Sequence, residues 1–155
     1  MGLDMYLYAK RYLADYNPAD KAIKDEISDK LPSPYKGVKE IKSEIAYWRK
    51  ANAIHKWFVD NCQDGVDECQ ESYVPLEKLS TLVELCKIVL ADPSRASELL
   101  PTQGGFFFGS TDYDPGYVDD LVHTVQILEP LLQYNVVETL QEENGNWNFY
   151  YQSSW

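Results

Sequence analysis

The chain has 155 residues, 45% of them hydrophobic and 25% charged, the size and mix of one globular domain. Its 14 Lys and Arg stand against 25 Asp and Glu, a formal charge of −11 that repels phosphate and argues against direct nucleic-acid binding. Aromatics reach 14% and include twelve tyrosines, a composition that disordered chains lack and half-exposed interfaces favour.

Residues 3–10, LDMYLYAK, alternate: Leu3, Met5 and Leu7 point one way, Asp4, Tyr6 and Tyr8 the other, as in a half-buried strand. Asn17 followed by Pro18 is a helix start, and Pro32 and Pro34 close that short, exposed segment. In GVKEIKSEIAYW both periods fit; a strand running into a helix near Ala46 is the preferred reading, with residues 47–61 helical. CQDGVDECQESYV reads as a polar connection turning at Asp64-Gly65. Residues 75–92 carry the strongest helical stripe, Leu76, Leu79, Leu82, Val83, Cys86, Val89 and Leu90, stopped by Asp92-Pro93. Ser94 is placed to cap a short helical turn ending at Pro101.

Next, TQGGFFFGSTDYD reads as a strand of three Phe between glycine hinges. Asp114-Pro115 opens a helix bearing Leu121, Val125 and Leu128, which Pro130 ends or kinks. Residues 136–155 suggest a C-terminal β-hairpin, with VVETLQ alternating, Asn144-Gly145 as the turn and WNFYYQSSW returning. Together these elements imply a single α+β domain over residues 1–155, a mostly antiparallel sheet with helices on one face.

YWRKANAIHKWF, residues 47–58, gathers rings and cations on an otherwise acidic chain. On a helix, Trp48, Asn52 and His55 would share a face, with Arg49 at its edge and Ile54, Trp57 and Phe58 turned inward. That stripe offers a stacking ring, an amide and a titratable imidazole, suited to an anion or planar ligand. Equally open is a structural role, in which Trp48 is core, His55 bonds a backbone carbonyl and the cations offset carboxylates. Residues 103–117 form the second candidate: Asp112 and Tyr113 could complete a pocket opposite Arg49 and His55. The plainer role for Asp112 and Asp114 there is turn formation and capping.

No cofactor motif is present. His55, Cys62 and Cys69 fall seven apart, without the close cysteine spacing of structural zinc, so no metal is expected. Ser110 lies outside a G-x-S-x-G elbow, neither G-x-x-x-x-G-K-[ST] nor G-x-G-x-x-G occurs, and no catalytic residue is assigned. Three cysteines, an odd number, with no basic and apolar leader before them, suggest reduced thiols in a cytoplasm. No run is long and apolar enough for a membrane span, so no membrane partner is expected.

The blocks IAYWRKANAIHKWFVDNCQDGVDECQESYV, LLPTQGGFFFGSTDYDPGYVDDL and FYYQSSW, with MGLDMYLYAK at the start, resemble a family of small proteins common in bacteriophage genomes and prophages. The similarity covers most of the chain except residues 14–40. It implies an accessory protein acting in the host cytoplasm, in host takeover or counter-defence, and carries no catalytic residues. The leading expectation is thus a non-enzymatic protein that binds a host or defence component with a basic surface. A second is a binder of a small molecule or nucleotide, or an enzyme acting on one, using Trp48, Arg49, Asn52 and His55 with the 103–114 loop. A third is a homo-oligomeric building block without a pocket.

Overall fold

The computed structural model of the chain describes residues 2–138 and 147–155, the backbone alone over 135–138. Four strands, β1 (Asp4–Tyr12), β2 (Glu40–Arg49), β3 (Ser72–Val74) and β4 (Asn148–Ser154), form one sheet in the order β2-β1-β4-β3. Every pairing is antiparallel. With helices α1 (Pro18–Asp29), α2 (Asn52–Cys62), α3 (Leu76–Ala91), α4 (Ala96–Leu99) and α5 (Pro115–Glu138), the chain is a single α+β domain.

The alternation of β1 sets the layers. Met5, Leu7 and Ala9 are buried, joined on that face by Trp48 and Ala46 of β2 and Phe149 and Tyr151 of β4. Ile54 and Phe58 of α2, Leu79, Leu82 and Cys86 of α3, and Leu121 and Leu128 of α5 complete the same core. Water is removed from one side of the sheet only, so residues at the intervening positions stay on the other. A bulge at Leu7/Tyr8 places Ile45 as an extra residue in β2 without disturbing that division.

Asn17 caps α1 through its side-chain oxygen, which accepts from Ala19 N and Asp20 N, and Pro18 follows at the first helical position. α3 follows its hydrophobic stripe. After it, Asp92 rather than Ser94 caps the short turn: its carboxylate accepts from Ser94 N. α5 continues through Pro130 to Glu138.

Four segments differ from the sequence reading. β2 persists to Arg49 instead of turning helical near Ala46, because Ala46, Tyr47 and Trp48 pair with Leu7, Tyr6 and Met5. The polar connection contains β3, whose Val74 is buried beside Phe149. The three Phe form no strand: Phe107 adopts φ 66°, Phe106 and Phe107 are exposed and only Phe108 is buried. Val136–Glu138 extend α5, and β4 is flanked by β1 and β3. The Asn144-Gly145 turn lies outside the described residues.

One buried ion pair ties α1 to the sheet. Arg11 Nε donates to Asp20 Oδ1 at 2.8 Å, with both side chains almost fully enclosed, and Asp20 Oδ2 also accepts from Ala14 N. Removing one partner strands a charge, whereas replacing both restores an apolar contact. Arg11→Ala should destabilise the fold by about 3–5 kcal/mol, and Arg11→Met/Asp20→Leu should regain at least half of that. Urea unfolding checks both; equal destabilisation by the two variants would refute this role.

Candidate functional site

The 47–58 segment splits at Lys50, whose backbone takes φ 57° while its N–H donates to Leu3 O at 2.8 Å. Trp48 and Arg49 therefore belong to a strand and point to opposite faces; Asn52 and His55 belong to a helix. The shared helical face of Trp48, Asn52 and His55 does not exist, since the strand ends later than the local periodicity suggests. Trp48 is buried, its indole N–H donating to Thr124 Oγ1 at 2.9 Å. Thr124 in turn donates to Asp120 O.

His55 is wholly buried and fully bonded. Its Nε2 lies 2.9 Å from Asp67 Oδ2 and its Nδ1 2.6 Å from the Tyr151 hydroxyl. With the carboxylate accepting from Nε2–H, Tyr151 donates to Nδ1. Burial, and then the nearby Asp67 carboxylate, push the Tyr151 phenol well above its ordinary pKa, so it remains a donor. Trp155 donates to the second oxygen of Asp67, binding the last residue into the network. The partners of His55 are thus side chains, not the backbone carbonyl a structural role first suggests.

Asn52, at the start of α2, organises the 102–111 loop. Its amide nitrogen donates to Phe108 O and Ser110 O, and its oxygen accepts from Gln103 N at 3.0 Å. The loop is exposed over most of its length with only Phe108 buried, and the single Asn52 amide pairs three of its backbone groups. Gly109 seats the loop against Lys50: it has φ 87°, and an added Cβ would lie 3.2 Å from Lys50 Cβ.

The result is a cavity of about 240 Å³ between the β2–α2 junction, this loop and the start of α5. Arg49 and Lys50 reach it from the β2–α2 junction, and Asp112, Asp114 and Asp120 from the loop and the first turns of α5. The two candidate segments do converge, bringing Arg49, Asn52 and Asp112 together, while Trp48 and His55 do not line the cavity. Tyr113 stands outside the lining, packed edge-on against Tyr117 with its hydroxyl accepting from Thr102 N. Asp114 accepts from Tyr117 N and so serves as the cap of α5. Asp120 carries little weight in the sequence, because paired carboxylates such as Asp119/Asp120 are common in so acidic a chain. Burial pushes its carboxyl up to about 6, with Asp119 and Asp114 adding to the rise and His123 opposing it.

A second surface gathers the tyrosines that the composition marks as suited to interfaces. On the open side of the sheet Tyr6 and Tyr8 stack at 5.6 Å, Tyr6 meets Tyr47 at 5.4 Å and Tyr73 meets Tyr150 at 5.9 Å. Lys42 Nζ lies 3.8 Å from the Tyr8 ring centre and Lys10 Nζ 4.5 Å from that of Tyr150. Both ammonium groups pair with Glu71. The signal was present in the alternation of LDMYLYAK, whose Tyr6 and Tyr8 fall two apart and share one face; NFYYQSS adds Tyr150 to that face, with Tyr151 turned inward.

Among the described residues, no group of His, Cys, Asp or Glu is placed to hold a metal ion, and no helix is long and apolar enough to cross a membrane. Burial raises the thiols of Cys62 and Cys86, to about 11 and about 12, and so works against their forming thiolates. No family model, no curated protein and no solved structure matches the chain.

Asp120 makes stability depend on pH. Its folded value of about 6 exceeds the ordinary 3.8, so its protonated form favours the fold, fully below the lower value and progressively less as pH rises through the higher. Thermal melts at about pH 4.5 and about pH 7.5 should show Asp120→Asn gaining on the wild type at the higher pH. A constant difference at the two values would contradict the burial of this carboxyl.

Proposed function

We propose that the chain is a binding protein and that its partner, a protein with a basic, arginine-bearing surface, docks on the tyrosine face of the sheet. One observation carries this reading: among the described residues the helices cover the inner side of the sheet, and on the other side two groups of rings, Tyr6/Tyr8/Tyr47 and Tyr73/Tyr150, stand side by side where Tyr8 is paired with Tyr150. Tyrosine and arginine are the usual energetic centres of interfaces, because each buries a large flat group and keeps polar atoms in reach.

Charge selects the partner's sign. Lys10 and Lys42 share the single carboxylate of Glu71, which offsets one of their two charges. Glu40 and Glu44 share that face through their pairing with Tyr12 and Tyr8, and neither forms an ion pair among the described residues. A guanidinium arriving here meets ring faces and free carboxylates at once, each cation–π contact contributing about 0.5–2 kcal/mol. The net charge of −11 steers the encounter in the same sense. In the setting that the phage resemblance suggests, the partner belongs to the host or its defences and the site of action is the host cytoplasm.

The alternative, a small-molecule or nucleotide binder or enzyme using Trp48, Arg49, Asn52 and His55 with the 103–114 loop, keeps Arg49 and Asn52 at the cavity but has Trp48 and His55 in the core. Neither ring can reach a ligand in the cavity without unpacking α2.

The test is affinity capture from a bacterial lysate with three baits. Wild type and Arg49→Ala/Asp112→Asn should retain the same basic protein, and Tyr8→Ser/Tyr150→Ser should lose it by roughly tenfold or more. Added salt should weaken capture. Equal retention by the tyrosine variant, or loss confined to the Arg49/Asp112 variant, would overturn the assignment.

A further inference from the structure

The cavity beside Asn52 is lined by two cations from the β2–α2 junction and three carboxylates from the loop and α5. Among the described residues no ion pair joins Arg49 or Lys50 to Asp112, Asp114 or Asp120; the nearest such pairing of Arg49 is to Asp4, at 4.0 Å. Asn52, by contrast, has its amide nitrogen and oxygen committed to the loop, and Asp114 is occupied as a helix cap. The groups left with unused capacity are the Lys50 ammonium, the Ser110 hydroxyl proton, the carboxylates of Asp112 and Asp120, and the N–H groups of the Arg49 guanidinium beyond those it turns to Tyr47 and Asp4. Cations and anions held apart across a cleft form a fixed dipole, and a fixed dipole selects a ligand carrying the reverse one.

From this arrangement we infer that the cavity binds a small zwitterion of the free α-amino acid class. Its carboxylate faces Lys50 and Arg49, and its ammonium group faces Asp120 and Asp112. Size supports the class: about 240 Å³ is below the usual range for drug-sized ligands or nucleotides and suits a molecule of amino-acid dimensions. The Tyr117 ring, held by its hydroxyl bond to Leu100 O, provides a rigid apolar wall for a side chain. Burial disfavours the ionised form of Asp120, which gains most from a cation brought to it. Gly109 keeps the loop close without a side chain entering the space beside Lys50. The cavity meets the tyrosine face at Arg49, which approaches Asp4 beside Tyr47, whereas Tyr8 and Tyr150 lie elsewhere on that face and outside the cavity lining.

Amide NMR spectra of the ¹⁵N-labelled chain, recorded during titration with each standard amino acid and with acetate and methylammonium separately, decide the matter. At least one amino acid should shift the Gly109, Ser110 and Gly116 amides saturably, with acetate or methylammonium alone at least about tenfold weaker. Lys50→Gln and Asp120→Asn should each weaken that binding about tenfold or more, while Tyr8→Ser/Tyr150→Ser leaves it unchanged. Absence of shifts up to about 10 mM for every amino acid would overturn the proposal. So would binding of either half-ligand as tight as that of the amino acid, or unchanged affinity in both cavity variants.

Discussion

Tyr151 is the residue on which the arrangement turns. Its ring stacks on Phe58 of α2 at 4.1 Å with the planes 7° apart, and its hydroxyl reaches His55 one helical turn earlier. One side chain of β4 thereby fixes both the distance and the rotation of α2 over the sheet. Since α2 begins at Asn52, the same contact positions the amide that folds the 102–111 loop, and with it the cavity. Strand geometry carries the constraint to the other surface: with Tyr151 inward, Tyr150 must point outward, beside Tyr8. The core and the two candidate surfaces thus share a single register.

The network around His55 explains why chemistry-bearing residues need not form a reactive site. A histidine flanked by a carboxylate and a hydroxyl has the components of a catalytic relay, but here Phe58 and Phe108 close over it and the tyrosine phenol is held protonated by burial. Enclosed in this way, the three polar groups satisfy one another and join α2, the 63–71 connection and β4. Trp155 adds the end of the chain through the remaining oxygen of Asp67. Polar groups buried with complete partners specify one arrangement, because any shift leaves a donor or acceptor unpaired.

Much of the fold was legible because burial leaves a period. The alternation of β1, the stripe of α3 and the Asn17-Pro18 start of α1 each reflect one face losing contact with water. β2 resisted the same reading: Ile41, Ile45 and Trp48 fit a helical spacing, and what decides is pairing with β1, an interaction distant in sequence. β3 is only three residues long, and its single buried residue, Val74, leaves no period. The Phe106–Phe108 run misled for a different reason, since hydrophobicity suggests burial while the left-handed backbone at Phe107 turns two of the rings to solvent. Of the candidate residues, Arg49, Asn52 and Asp112 meet as the sequence suggested, since both segments were recognised even though the element carrying Arg49 was not. Asp120 was hidden because its burial depends on the packing of α5, which no local pattern encodes.

Acetylation of tyrosine hydroxyls, read by mass spectrometry with and without the captured partner, bears most directly on the sheet face as the binding surface. Tyr16 and Tyr35 are exposed away from the sheet and serve as internal references. Docking on the sheet requires Tyr47, Tyr73 and Tyr150 to lose reactivity together in the complex, with Tyr16 and Tyr35 unchanged. Continued reactivity of those three, with protection at Tyr113 instead, would place the partner at the cavity and contradict the role given to the tyrosine face.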